Sequence, residues 1–105
     1  MPDWVTVART DELSDGELTS ATIDGTELLI AGVGGEYLSI GDVCTHEQCS
    51  LADGEIEDGT VRCSCHGSVF DLGTGAVVEP PATEDEPVYE VRVEGDEIQV
   101  AKPGT

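Results

Sequence analysis

Turn signals recur along this chain too often to leave room for helices. Asp24-Gly25, Gly34-Gly35, Asp58-Gly59, Gly73-Thr74-Gly75 and Gly95-Asp96 each separate short apolar runs. Such dipeptides between runs of this length mark β-hairpins, because their residues accept the positive φ that hairpin turns require. The runs are Trp4 to Ala8, Leu18 to Ile23, Glu27 to Val33, Tyr37 to Ile40, the residues around Ile56 and Val61, Val69 to Leu72, Ala76 to Val78, Val88 to Val93, and Ile98 to Ala101. About nine or ten strands in 105 residues predict an all-β fold, a small antiparallel sandwich or barrel. Ser14 and Glu17 have the spacing of a helix capping box. No apolar run of helical period follows them, so the segment is read as a turn. AGVGGE (31–36) is not a dinucleotide-binding loop: the third glycine would fall at 37, where Tyr37 stands, and no helix follows.

A chain of 105 residues predicts a single domain, 1–105. Its four aromatic residues, Trp4, Tyr37, Phe70 and Tyr89, leave the core to Val, Ile, Leu and Ala. A bound metal centre would add stability that such a core lacks. Twenty-three acidic residues face four basic ones, Arg9, Arg62, Arg92 and Lys102, for a formal net charge of −19. That balance excludes nucleic acid and anionic membrane surfaces as partners. It serves solubility, in high salt included, or steering toward a basic patch on a partner protein, and the two are compatible. No apolar run approaches the ~20 residues of a membrane span. The N-terminus lacks the basic segment and apolar stretch of a secretory signal. The expectation is a soluble, cytoplasmic protein with no membrane span.

All four cysteines and both histidines fall between positions 44 and 66. One group is Cys44-Thr45-His46-Glu47-Gln48-Cys49, the other Cys63-Ser64-Cys65-His66-Gly67-Ser68. Three readings compete. Structural zinc usually takes C-x₂₋₄-C knuckles. Cys44 and Cys49 are too widely spaced for one, and Cys63 and Cys65 are too close. Disulfides alone leave both histidines unexplained. A C-x-H segment and a C-x₂-H segment together offer two thiolates and two imidazoles. Two thiolates can hold one iron and two imidazoles a second, as in a Rieske [2Fe–2S] centre.

CTHEQC and CSCHGS resemble the two cluster-binding loops of Rieske proteins, and VFDLGTGAVVEPPA (69–82) is similar to the stretch running to the proline loop that covers the cluster in that family. The resemblance spans about residues 36–101. It implies one [2Fe–2S] cluster per chain, with Cys44 and Cys63 on one iron and His46 and His66 on the other. It implies a Rieske-type antiparallel sandwich or barrel carrying a small cluster-binding subdomain, about residues 41–82. Cys49 and Cys65 match a pair that forms a disulfide between the loops in the Rieske proteins of cytochrome bc and b6f complexes. Many soluble Rieske ferredoxins of oxygenase systems lack that pair. The alternative for these two cysteines is a pair of buried thiols. Ser68 matches a serine whose hydroxyl donates to the cluster in high-potential relatives. Phe70 falls where those relatives carry a tyrosine that bonds a ligating sulfur. One donor kept and one lost imply a midpoint in the lower half of the Rieske range.

The resemblance also bounds function. Rieske oxygenases need a second iron held by two histidines and a carboxylate. Here both histidines belong to the cluster, and no catalytic domain fits in the remaining length. The expected role is therefore a one-electron carrier, not an enzyme, taking electrons from a flavin-dependent reductase to a terminal oxygenase. A small Rieske subunit of a nitrite reductase or respiratory complex is the alternative. A non-redox binding module with structural zinc is the alternative of another class.

Overall fold

The computed structural model describes residues 3–43, 49–65, 67–80 and 82–101. Among the described residues eleven strands form three antiparallel sheets: β1 (Trp4–Arg9), β2 (Leu18–Ile23), β3 (Thr26–Val33), β4 (Glu36–Gly41), β5 (Glu55–Glu57), β6 (Thr60–Arg62), β7 (Val69–Asp71), β8 (Val77–Glu79), β9 (Val88–Tyr89), β10 (Val91–Glu94) and β11 (Glu97–Ala101). The first sheet has the order β1-β11-β10, the second β2-β3-β4-β9 and the third β5-β6-β7-β8. Among the described residues the helical content is one turn of 3₁₀ helix, Leu51–Asp53.

The expected hairpin turns are present. Asp24-Gly25, Gly34-Gly35 and Asp58-Gly59 carry positive φ at both central residues, the geometry that matches strand twist. The Ser14–Glu17 segment is a turn, as read from sequence. Half of a capping box survives in it, since the Ser14 backbone N–H donates to Glu17 Oε1 at 2.7 Å.

The sequence reading differs from the structure at Val88–Val93, which was expected to run as one strand. The chain breaks at Glu90: Val88–Tyr89 pairs with β4, whereas Val91–Glu94 pairs with β11. The strand changes sheets there, so one apolar run serves two layers.

β3 explains how the layers stack. Its Leu28 and Ile30 join Leu13, Ile23, Ile98 and Val100 in one buried cluster. The alternate residues Leu29 and Ala31 join Ile40, Leu51, Val61, Cys63, Phe70, Leu72 and Ala82 in another. Side chains alternate across a strand, so a continuous apolar run such as LLIA is buried on both faces. One face meets the β1-β11-β10 sheet. The other meets the small β5–β8 sheet that presents the cysteine-bearing turn. Complete burial of a side chain such as Phe70 contributes about 1.5–3 kcal/mol, so the small sheet is anchored chiefly by this shared core.

Candidate metal centre

Two loops bear the predicted ligands. The first leaves β4 and returns at Ser50; Cys44 and His46 lie in its part outside the described residues, as do His66 and Pro81 elsewhere. The base of this loop is well defined. Val43 and Ser50 form an isolated antiparallel bridge. Asp42, only 3% exposed, accepts from Ser50 Oγ at 2.6 Å and from the Ala52 N–H at 3.0 Å through its two carboxylate oxygens. Its carbonyl accepts from the Leu51 N–H at 2.6 Å. A buried carboxylate is tolerated where donors surround it. Asp42 thus clamps both ends of the first loop. Sequence reasoning missed it because one aspartate among 23 acids carries no distinguishing signal.

The second loop joins β6 to β7 as a tight turn. The Cys63 N–H donates to the Ser68 carbonyl at 2.7 Å, and the Gly67 N–H donates to the Cys63 carbonyl at 3.0 Å. Gly67 has φ +78°, which a Cβ would disfavour. Nearby, Gly54 allows the 3₁₀ turn to rest against β6: a Cβ there would overlap the Arg62 carbonyl oxygen. That contact brings the return of the first loop against the entry to the second.

Of the predicted site residues, Cys49, Cys63, Cys65 and Ser68 are described. Cys49 and Cys65 form a disulfide with a Cα–Cα distance of 6.5 Å, which ties the two loops together. Cys63 is buried in the same apolar cluster as Phe70, Leu51 and Val61. A thiolate in such surroundings requires a partner cation, which a metal supplies. Ser68 is fully buried, and its Oγ accepts from the Ala82 N–H at 3.0 Å. That bond links the second loop to the segment following Pro80-Pro81 and leaves the hydroxyl proton available to donate. An open groove of about 320 Å³, lined by Asp53, Gly54, Glu55, Arg62, Cys63, Ser64 and Gly67, runs beside the turn. These features fit a soft, thiolate-ligated centre seated between two cross-linked loops.

Comparison with known proteins agrees with this geometry. The chain is 38% identical over 91 residues to the biphenyl dioxygenase ferredoxin subunit of a Pseudomonas species, covering 86% of this chain and 84% of that one. The ferredoxin of carbazole 1,9a-dioxygenase from Nocardioides aromaticivorans superposes with a TM-score of 0.91 at 32% identity, covering 94% of this chain and 97% of the other. A chain of the complex of reduced oxygenase and oxidized ferredoxin in carbazole 1,9a-dioxygenase superposes with a TM-score of 0.89 at 29% identity, covering 93% of this chain and 92% of that one. The model of the Rieske [2Fe–2S] domain matches residues 3–101, and the chain belongs to that family.

Proposed function

We propose that this chain is the ferredoxin of an oxygenase system, a single Rieske domain whose cluster-binding part spans about residues 41–82. Cys44 and Cys63 would hold one iron of a [2Fe–2S] cluster, and His46 and His66 the other. The cluster, when bound, supplies reversible one-electron chemistry. The chain's own residues do the rest. Asp42 closes the base of the first loop, the Cys49–Cys65 disulfide fastens that loop to the second, and Ser68 joins the second loop to Ala82. This bracing limits rearrangement between redox states, which is what a carrier needs to exchange electrons quickly. The electron donor is a flavin-dependent reductase and the acceptor a terminal oxygenase, with the cytoplasm as the compartment. Among the described residues no helix is long and apolar enough to cross a membrane.

The observation that carries the reading is the pair of loops joined at Cys49 and Cys65, with Cys63 buried beside them in an apolar cluster. Likeness along nearly the whole chain to ferredoxin components supports the electron-transfer role. Iron and sulfide analysis of the purified protein tests the cofactor. Two irons and two sulfides per chain with a Rieske electron paramagnetic resonance signal on reduction are expected. One zinc without sulfide would overturn the reading. Reduction by a flavin reductase, followed by reoxidation on adding a Rieske oxygenase, tests the place in the chain of transfer.

A further inference from the structure

Arg62 ends β6, one residue before Cys63. Cys63 is buried, whereas the Arg62 side chain is 46% exposed and reaches along the outside of the small sheet. Its guanidinium meets three elements. Nη1 donates to the carbonyl of Gly67, the residue after His66, at 3.3 Å. Nη2 donates to Glu79 Oε2, the residue before Pro80, at 3.3 Å. Nε lies 3.7 Å from Glu57 Oε2 on β5. The same side chain borders the groove beside Cys63. The other two described arginines lie in a different sheet: Arg9 pairs with Asp11 and Asp96, and Arg92 stacks over Trp4 at 4.4 Å. Among the described residues, Arg62 is therefore the one positive charge on the β5–β8 sheet.

We propose that Arg62 is a positioning residue for the cluster, tying the second ligand loop to the strand that enters Pro80 and raising the potential at which the cluster takes up its electron. The inference rests on the cluster assignment above. The two effects have separate physical origins. Exposed ion pairs add little to global stability, so the tie acts locally, by keeping the loop, the proline segment and the groove wall together. A planar guanidinium reaches several acceptors at once in a fixed fork, which a lysine ammonium does not. The charge acts independently of that geometry. Reduction adds a negative charge to the centre, so a nearby cation favours the reduced form and a nearby carboxylate disfavours it. Arg62 and Glu79 therefore oppose each other in setting the potential while cooperating in holding the loop.

That opposition makes the experiment. Wild-type protein, Arg62→Gln, Arg62→Lys and Glu79→Gln are loaded and checked for iron, sulfide and visible spectrum. Midpoints are then measured by voltammetry at low and at 1 M salt, and loss of the visible absorbance is followed in excess chelator. Arg62→Gln is expected to make reduction about threefold less favourable, a shift of roughly −30 mV at 59 mV per tenfold for one electron. Glu79→Gln, at an exposed carboxylate whose loss leaves the core intact, should shift the midpoint upward. Arg62→Lys should keep the wild-type midpoint. Both Gln variants should lose the cluster severalfold faster than wild type, with the Lys variant between. The midpoint shifts should shrink at 1 M salt, where the screening length is about 3 Å. Loaded variants whose midpoints move in the same direction, or not at all, or whose clusters persist as in wild type, would overturn the inference alone. Wild-type protein that carries no iron and sulfide would overturn the cluster assignment and this inference with it.

Discussion

Replacing Ser68 with alanine separates two bonds that one hydroxyl is placed to make. The oxygen accepts from the Ala82 N–H at 3.0 Å inside a fully buried site. Removing it strands a buried donor, at a cost of about 1–3 kcal/mol in folding stability. The hydroxyl proton is the group that would donate to the cluster. A hydrogen bond to a charged group contributes about 1.5–3 kcal/mol, and for one electron 1.36 kcal/mol corresponds to about 59 mV. Loss of that donation should therefore lower the midpoint by at most ~65–130 mV. Voltammetry of Ser68→Ala beside the wild type, with denaturant unfolding of each, measures both effects. Ser68→Thr retains the hydroxyl and should keep the midpoint, although its extra methyl meets a packed core and costs about 1–3 kcal/mol. A Ser68→Ala midpoint within about 15 mV of wild type, a quarter of a tenfold change, would refute donation to the cluster. Ser68 would then be an anchor for the proline segment and nothing more.

Replacing Cys49 and Cys65 together with serine should leave the cluster spectrum similar but cost about 3 kcal/mol, the loop-entropy value for a bridge of sixteen residues' separation; mass spectrometry of the wild type showing two thiols would contradict the bridge. Phe70→Tyr should raise a wild-type midpoint that lies in the lower half of the Rieske span of about −150 to +300 mV, and a wild-type value above about +200 mV would refute the donor argument at this position. Tyr89 has its pKa raised above 10.0, first by burial and then by the Glu86 carboxylate. A raised acid favours its protonated form in the folded state, so its contribution is full below the unfolded pKa of about 10 and is lost as the pH rises through the folded value; the phenolate absorbance of the folded protein should develop later than that of the denatured chain, and simultaneous development would contradict it. The thermal midpoint should rise between low salt and 1 M salt, where charges farther apart than about 3 Å are screened; a fall would show that attraction, not repulsion, dominates the long-range field.

Much of the architecture was legible because β-structure announces itself in turns. Paired positive-φ residues at Asp24-Gly25, Gly34-Gly35 and Asp58-Gly59 set hairpin register locally, and the strands on either side follow. The junction at Glu90 was not legible. Val88 and Val91 look alike in sequence, and only the tertiary context sends one to β4 and the other to β11. The site divides the same way. The two cysteine–histidine groups and the second cysteine pair carry family-specific spacing. The disulfide between Cys49 and Cys65 is present as the resemblance implied. The supports carry no such spacing. Asp42 and Arg62 act across gaps set by folding, Asp42 on Ser50 and Ala52 and Arg62 on Gly67 and Glu79. Neither belongs to a motif, and each is chemically ordinary until its neighbours are known.

The acidity has an internal role besides its surface one. Glu12, Asp15, Glu17, Asp42, Asp71 and Asp85 each accept a backbone N–H, from Arg9, Gly34, Ser14, Ala52, Gly73 and Val77 respectively, at 2.5–3.0 Å. These are turn and loop-closing positions, where Ser or Asn commonly does the same work. A carboxylate there makes the stronger, charge-assisted bond, and it adds to the net charge of −19. Long-range repulsion and short-range bonding therefore come from the same groups. Salt weakens the first far more than the second, because a bond at contact distance lies within even a short screening length. A chain built this way gains from a salty medium without needing a separate set of stabilising residues. One of its cysteine-bearing loops is held by the same device, with Asp42 at its base, whereas the Glu57–Arg62–Glu79 ion pairs stand beside the other.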